Sequence, residues 1–294
     1  MSSSTLSERA MLIHLTIGVW GGRRKDKAVS DGVTTQAHAE RDSGSWWTRL
    51  VPGEVLRPIQ AAASKGRKVH YDYTLPWMDG GLRILPANAY IKYTTKMREA
   101  HAEFDAAVSD FLNGYPTHRE KAKETLGDLY QEEAYPHPAD LARKYGWTVN
   151  VLPMPDANDF RVTLADGQAE EIRAEIKEKL KASVNTSMQD LWRRLQAALE
   201  CVSERLSDPD KHFRNSLIGN VLDLCDLIPI MNITGDAQLD RLVRQTARKI
   251  GRLDVKDLRN DKAIRAQAAQ DASQILAQIA PYIVETSTET DDDE

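Results

Sequence analysis

The 294-residue chain reads as a mainly α protein, an elongated helical bundle or long hairpin with a small α/β N-terminal region. Three observations carry that reading. Ile172, Ile176, Leu180, Val184, Met188, Leu191, Leu195, Leu199, Val202 and Leu206 recur almost always at four-residue steps, one face of a single helix of about 40 residues. Phe213, Leu217, Val221, Leu224 and Ile228 repeat the pattern until Pro229, Asn232 and Gly235 break it, which is a buried hairpin joint between helices. The first third instead mixes short β-rich runs with turn residues and holds most of the Gly and Trp.

Taken in order, Leu12, Ile13, Leu15, Ile17 and Val19 alternate loosely and predict a strand over residues 11–20, followed by Gly21-Gly22-Arg23-Arg24-Lys25 as a basic turn. A short helix is expected over 28–39 and another within 46–63, opening near Pro52. Residues 69–75 are β-rich and end at Pro76-Trp77; Asp79-Gly80-Gly81 is a turn before a strand at 82–85. Met97, Ala100, Phe104, Ala107, Val108, Phe111 and Leu112 mark a helix of about five turns, stopped at Asn113-Gly114-Tyr115-Pro116. Helices over 117–134 and 138–145 follow, then two short strands at 147–152 and 160–164. Asp166-Gly167 opens the longest helix, and Ser207-Asp208-Pro209 is a restart with Asp208 as N-cap. Leu239, Leu242, Val243, Ala247 and Ile250 define the next helix, opening near Asp236. Asp261 caps the last one, with Ile264, Ala268, Ile275, Leu276 and Ile279 inward. Residues 285–294 are too polar to fold. The expected division is an α/β region over 1–96, a helical domain over 97–284 and a disordered acidic tail.

Leu191-Trp192-Arg193-Arg194-Leu195, the run from Phe213 to Leu227-Ile228-Pro229, and Leu239-Asp240-Arg241-Leu242 resemble a bacterial and phage family of unknown function, DUF3150. The opening Ala10-Met11-Leu12-Ile13-His14-Leu15-Thr16-Ile17 with Trp20 is similar to that family's first strand. The resemblance covers most of the chain but rests on packing residues, and the family has no agreed activity or catalytic residues to carry over. It implies a setting: phages and integrative elements, near genes for a MoxR-like AAA+ ATPase, a von Willebrand-type protein and recombination functions.

Composition narrows the class of function. With 41% hydrophobic and 28% charged residues, and no apolar run of membrane-spanning length, the chain reads as soluble. A polar start without a signal peptide's apolar segment places it in the cytoplasm of a bacterial host cell. Cys201 and Cys225 both fall inside helical patterns, which argues against a disulfide framework. The net charge of −5 hides an asymmetry: residues 1–100 hold 15 Lys or Arg against 9 Asp or Glu, while residues 285–294 hold 6 acids and no base.

Reactive chemistry finds no foothold in the motifs. The seven histidines (14, 38, 70, 101, 118, 137 and 212) show no metal-ligand spacing, and His101 with Glu103 at i and i+2 points to two helix faces. Gly18-Val19-Trp20-Gly21-Gly22-Arg23 matches neither the phosphate-binding nor the dinucleotide-binding loop, and no Gly-x-Ser-x-Gly elbow occurs. The expectation is a non-enzymatic protein with no metal and no cofactor.

One functional signal remains. Arg23, Arg24, Lys25 and Lys27 form one basic cluster and Lys65, Arg67 and Lys68 a second, interleaved with Trp46, Trp47, Tyr71, Tyr73 and Trp77. Cations neutralise phosphates and aromatic faces stack unpaired bases, so the combination suits single-stranded nucleic acid. The competing reading puts the aromatics in a core and Lys65-Gly66-Arg67-Lys68 in a solvated turn. Leu191, Trp192, Leu195 and Leu199 are candidate contacts with a second copy, against the alternative of packing on the last two helices of the same chain. The expected function is an accessory factor of phage or mobile-element DNA replication or recombination. It would bind nucleic acid through the N-terminal region and assemble through the long helices. Two alternatives stay open: an adaptor or substrate subunit of a MoxR-like AAA+ ATPase, and an oligomeric structural assembly protein.

Overall fold

The computed structural model describes residues 4–78, 81–156, 168–208 and 210–283. Its elements are α1 (Ser4–Ser7), β1 (Ala10–Gly18), β2 (Arg23–Asp26), α2 (Lys27–Gln36), β3 (Trp46–Arg49), α3 (Gly53–Tyr73), β4 (Leu75–Pro76), β5 (Arg83–Pro86), α4 (Tyr90–Leu126), α5 (Pro138–Ala142), β6 (Gly146–Pro153), α6 (Gln168–Ser207), α7 (Ser216–Met231), α8 (Ala237–Lys249), α9 (Val255–Asn260) and α10 (Lys262–Ile279). The protein is mainly α, with a small antiparallel sheet region fed chiefly by its N-terminal part. Strand order is β4-β5-β1-β6 in one sheet and β2-β3 in a second. Two compact units divide the chain, and neither is contiguous: one draws on Met1–His14, Tyr73–Ile91 and Val151–Glu294, the other on Leu15–Asp72 and Lys92–Asn150. The boundary expected at residue 96 falls inside α4. The strand expected at 160–164 and the acidic tail lie outside the described residues.

In the first unit, register sets the sheet face. β1 pairs with β5 so that Leu12 faces Ile84, and β4 pairs with β5 so that Leu75 faces the same Ile84. All three are buried and belong to a core shared with Leu191, Leu195 and Leu199 of α6 and Ala268, Ala272 and Ile275 of α10. Ser187 Oγ donates to Pro76 O (2.7 Å) and Arg194 Nη2 to Thr74 O (2.8 Å), which fixes α6 on β4. α6 and α10 are the most extensively paired helices. The hairpin between α7 and α8 is held by Asn232, which accepts from Asp236 N (2.9 Å) and donates to Asp240 Oδ1 (3.0 Å), while Asp236 caps α8.

Three expectations are corrected here. Among the described residues no helix restarts after Ser207, Pro209 itself lying outside them: Asp208 Oδ1 accepts from Asp210 N (2.9 Å), and α7 begins at Ser216. Phe213 therefore precedes the helix, its ring lying 5.2 Å from the Arg265 guanidinium and 5.5 Å from that of Arg259. Pro229 does not end α7, which continues to Met231 because Ile228 and Met231 on either side are fully buried. Arg265 supplies the missing stop at 208. Only 6% exposed, it donates to Leu206 O (3.2 Å), Arg205 O (2.8 Å), Lys211 O (2.7 Å) and Asp208 O.

In the second unit, Leu56, Ile59, Ala63, Gly66 and His70 of α3 are buried at steps of three and four, so residues 69–73 are helical despite their β-rich composition. His70 Nδ1 lies 3.1 Å from Tyr93 Oη, and burial raises that phenol's pKa far above its ordinary value. α4 runs straight through Gly114 and Pro116, merging the helices expected on either side. Phe111 and Tyr115 are buried against Trp20, and Tyr115 Oη donates to Pro136 O (3.1 Å). That burial outweighs the roughly 3 kcal/mol cost of an interior proline. Gly66 is required by packing, since a Cβ there would lie 2.1 Å from the Trp147 ring.

Arg265→Met should lower unfolding stability by about 3 kcal/mol, because it removes the buried guanidinium's hydrogen bonds to Arg205 O, Leu206 O and Lys211 O; urea denaturation followed by far-UV circular dichroism reads this, and an unchanged midpoint would refute the capping role. Gly66→Ala, which improves most helices, should instead lower the melting temperature of this one by several degrees through about 1–3 kcal/mol of overpacking, measurable by differential scanning calorimetry.

Candidate nucleic-acid interface

The first basic cluster is not a turn. Gly22, at φ +61° and with Leu56 Cδ1 only 2.6 Å from where a Cβ would stand, turns the chain into β2, and Arg23–Asp26 pairs with Trp46–Arg49. The register sets Arg23 opposite Arg49, Arg24 opposite Thr48, Lys25 opposite Trp47 and Asp26 opposite Trp46. Side chains directly opposed across antiparallel strands share a face, and successive residues alternate faces. Arg23, Lys25, Trp47 and Arg49 therefore form one face of a two-stranded ribbon, and all four are exposed, Trp47 at 55%.

The opposite face anchors the ribbon. Asp26 is 4% exposed, accepts from Val29 N (3.2 Å) as N-cap of α2 and pairs with Arg24 Nη2 at 2.8 Å. Arg24 Nη1 also donates to Gln131 Oε1. Ser30 joins helix to ribbon: its hydroxyl donates to Asp26 O (2.6 Å) and accepts from Trp46 N (2.8 Å). Beside this joint lies an open pocket of about 310 Å³ whose lining includes Lys25 and Lys27 against Asp31 and Asp42, so it has no net sign. Burial pushes the Tyr135 phenol up to about 12, so it stays neutral at ordinary pH.

The predicted site residues thus separate. Arg23, Lys25 and Trp47 come together, with Lys27 exposed on the first turn of α2 and Trp46, 47% exposed, at the ribbon's end. Arg24 braces the fold instead of facing solvent. The second cluster sits in the later half of α3, roughly 16 Å along the axis from Leu56, which meets Gly22. Its charges are already answered: Lys65 pairs with Glu103 (2.5 Å), Lys68 with Asp72 (2.6 Å), and Arg67 donates to Ile17 O (3.1 Å). Tyr71 is 56% exposed on that helix. Tyr73 and Trp77 belong to the other unit, both half-buried, with Trp77 packed on its core. Arg49 is the residue the sequence reading missed. Its signal was the alternation Trp47-Thr48-Arg49, legible once 46–49 is read as a strand.

Leu191, Trp192, Leu195 and Leu199 are at most 2% exposed, with Trp192 stacked on Tyr282 at 4.6 Å between ring centres. Intramolecular packing consumes them, and they present no surface to a second copy. Among the described residues no group of His, Cys, Asp and Glu side chains is arranged to hold a metal ion, and no helix is long and apolar enough to cross a membrane. No family model, curated protein or solved structure matches the chain.

Ser30→Ala should destabilise the ribbon by about 1–2 kcal/mol, since it removes two hydrogen bonds at one joint; faster hydrogen exchange of the Trp46 amide, with the α4 amides unchanged, is the expected result.

Proposed function

We propose that this protein binds single-stranded nucleic acid through the outer face of the β2-β3 ribbon. Trp47 would stack on an unpaired base, and Arg23, Lys25 and Arg49 on the same face, with Lys27 beside them, would contact the backbone. The carrying observation is the register that gathers three cations around one exposed indole. Among the described residues those three cations form no ion pair. Such a face offers a sequence-tolerant stacking platform together with phosphate neutralisation. We place this activity in an accessory, non-enzymatic role in phage or mobile-element DNA metabolism, the setting that the DUF3150 resemblance implies. Assembly through α6 has no support in the burial of its apolar stripe, and we do not retain it.

Fluorescence polarisation with labelled single-stranded DNA tests the proposal on the full chain. Trp47→Ala should weaken binding by about 1–3 kcal/mol, some 5- to 150-fold, and leave the salt dependence intact. The triple variant Arg23→Gln, Lys25→Gln, Arg49→Gln should flatten the log–log salt slope by about 2. Wild-type affinity and slope in both variants would sink the proposal.

A further inference from the structure

The solvent face of α8 carries a second set of cations that the ribbon does not account for. Leu239, Leu242, Val243 and Thr246 are buried, which fixes one side of this helix against its unit. On the other side Arg241, Arg244 and Arg248 recur at i, i+3 and i+7, a single row, and all are exposed; Arg252 follows in an exposed turn. Among the described residues, α8 makes its ion pair through Lys249, with Asp271 at 2.6 Å, and the three row arginines make none. Asp240, four residues before Arg244 and the natural partner for it, is engaged by Asn232 instead (3.0 Å).

Helix stability does not explain the row. Cations in a final turn are favoured by the helix dipole, which accounts for Arg248 and Lys249, but the effect fades within that turn and leaves Arg241 and Arg244 unexplained. Three like charges three and four residues apart repel one another by a few tenths of a kcal/mol per pair. The chain as a whole is acidic, at −5, so general electrostatics would repel a polyanion and any attraction has to be local.

We infer that the α8 row is a phosphate-backbone contact for nucleic acid, independent of base identity. At 1.5 Å per residue the row spans about 10 Å, a length over which one duplex strand presents about three phosphates at 3.4 Å each. No aromatic residue lies in the row, so nothing in it stacks on bases; the ligand chemistry is the phosphodiester chain alone, with duplex the favoured form. The inference rests on the nucleic-acid reading above for its ligand class, but it uses none of the ribbon's residues.

The test compares the full-length protein with three variants: Arg241→Gln/Arg244→Gln/Arg248→Gln, the same positions changed to Lys, and Trp47→Ala. Each is titrated by fluorescence polarisation with a labelled duplex of ~30 base pairs and the matching single strand across a salt series, with circular dichroism to verify helix content. In the Gln variant, duplex affinity should fall by on the order of tenfold at low salt and the log–log slope by about 3. The Lys variant should keep both. Loss in the Gln variant with Trp47→Ala unaffected supports the row and removes the ribbon reading. Loss in Trp47→Ala with the Gln variant unaffected overturns the row and leaves the ribbon. No duplex binding by wild type, or an unchanged duplex affinity and salt slope in the Gln variant, overturns the inference.

Discussion

A buried guanidinium closes the longest helix of this protein, and the helical unit is arranged around it. The last four carbonyls of any α-helix lack partners within the helix, and they carry the negative end of its dipole. α6 has 40 residues, and in its last turn Leu206 is buried while Arg205 and Ser207 reach the surface. Arg265, in the first turn of α10, supplies donors to Arg205 O and Leu206 O and then to Asp208 O and Lys211 O beyond the helix. A buried cation is costly unless its donors are satisfied. Here carbonyl dipoles satisfy them, and the Phe213 ring covers the guanidinium. The same contact sets the register of α10 on α6. From Arg265 near Leu206, through Ser273 on Ser203 at 2.9 Å, to Tyr282 accepting from Gln189 at 2.9 Å, numbers rise on one helix as they fall on the other. The helices are antiparallel, and Ala268, Ala269 and Ala272 supply small side chains to the α10 core face.

What the sequence disclosed follows the length of its patterns. The ten-residue stripe of α6, the hairpin joint at Asn232, the helix opening near Asp236 and the cap Asp261 were all legible, because each signal is local and each residue type has one physical reason to stand there. The failures share a different cause. Gly114-Tyr115-Pro116 and Pro229 are locally helix-breaking, yet both sit between residues whose burial depends on partners far along the chain: Tyr115 on Trp20, Ile228 in the α7 core. Val69-His70-Tyr71-Asp72-Tyr73 has strand composition, but its buried positions follow the helical period set by Leu56 and Ile59. Arg265 was invisible for the same reason, since nothing in a sequence marks one arginine among many as the one that reaches another helix's end.

At the candidate interface the residue types were legible and their sides were not. Arg23 and Arg24 are equivalent in a list of basic residues, but a strand sends neighbours to opposite faces. One is exposed on the ribbon, and the other pairs with a buried carboxylate. Lys65 and Lys68 looked as free as Lys25, yet Glu103 lies 2.5 Å from Lys65 and Asp72 lies 2.6 Å from Lys68. Arg49 gains its place only through pairing with Arg23. Register therefore decides which charges are left over, and register is a property of pairing, which a list of residues does not contain.

The cations of this chain sort by what the fold asks of them. Arg265 caps a helix, Arg24 braces a ribbon, Lys249 joins α8 to α10 through Asp271, and Arg259 lies over the ring of Phe213. Each is accounted for by the stability of its own unit. Arg23, Lys25 and Arg49 around Trp47, and Arg241, Arg244 and Arg248 along α8, are not. Folding gains nothing from leaving an indole 55% in water among three like charges, and little from an arginine row that pairs with no carboxylate among the described residues. Side chains that stability does not call for are where binding chemistry is to be sought. In both places that chemistry is complementary to a polyanion, with an aromatic surface added in one and absent from the other.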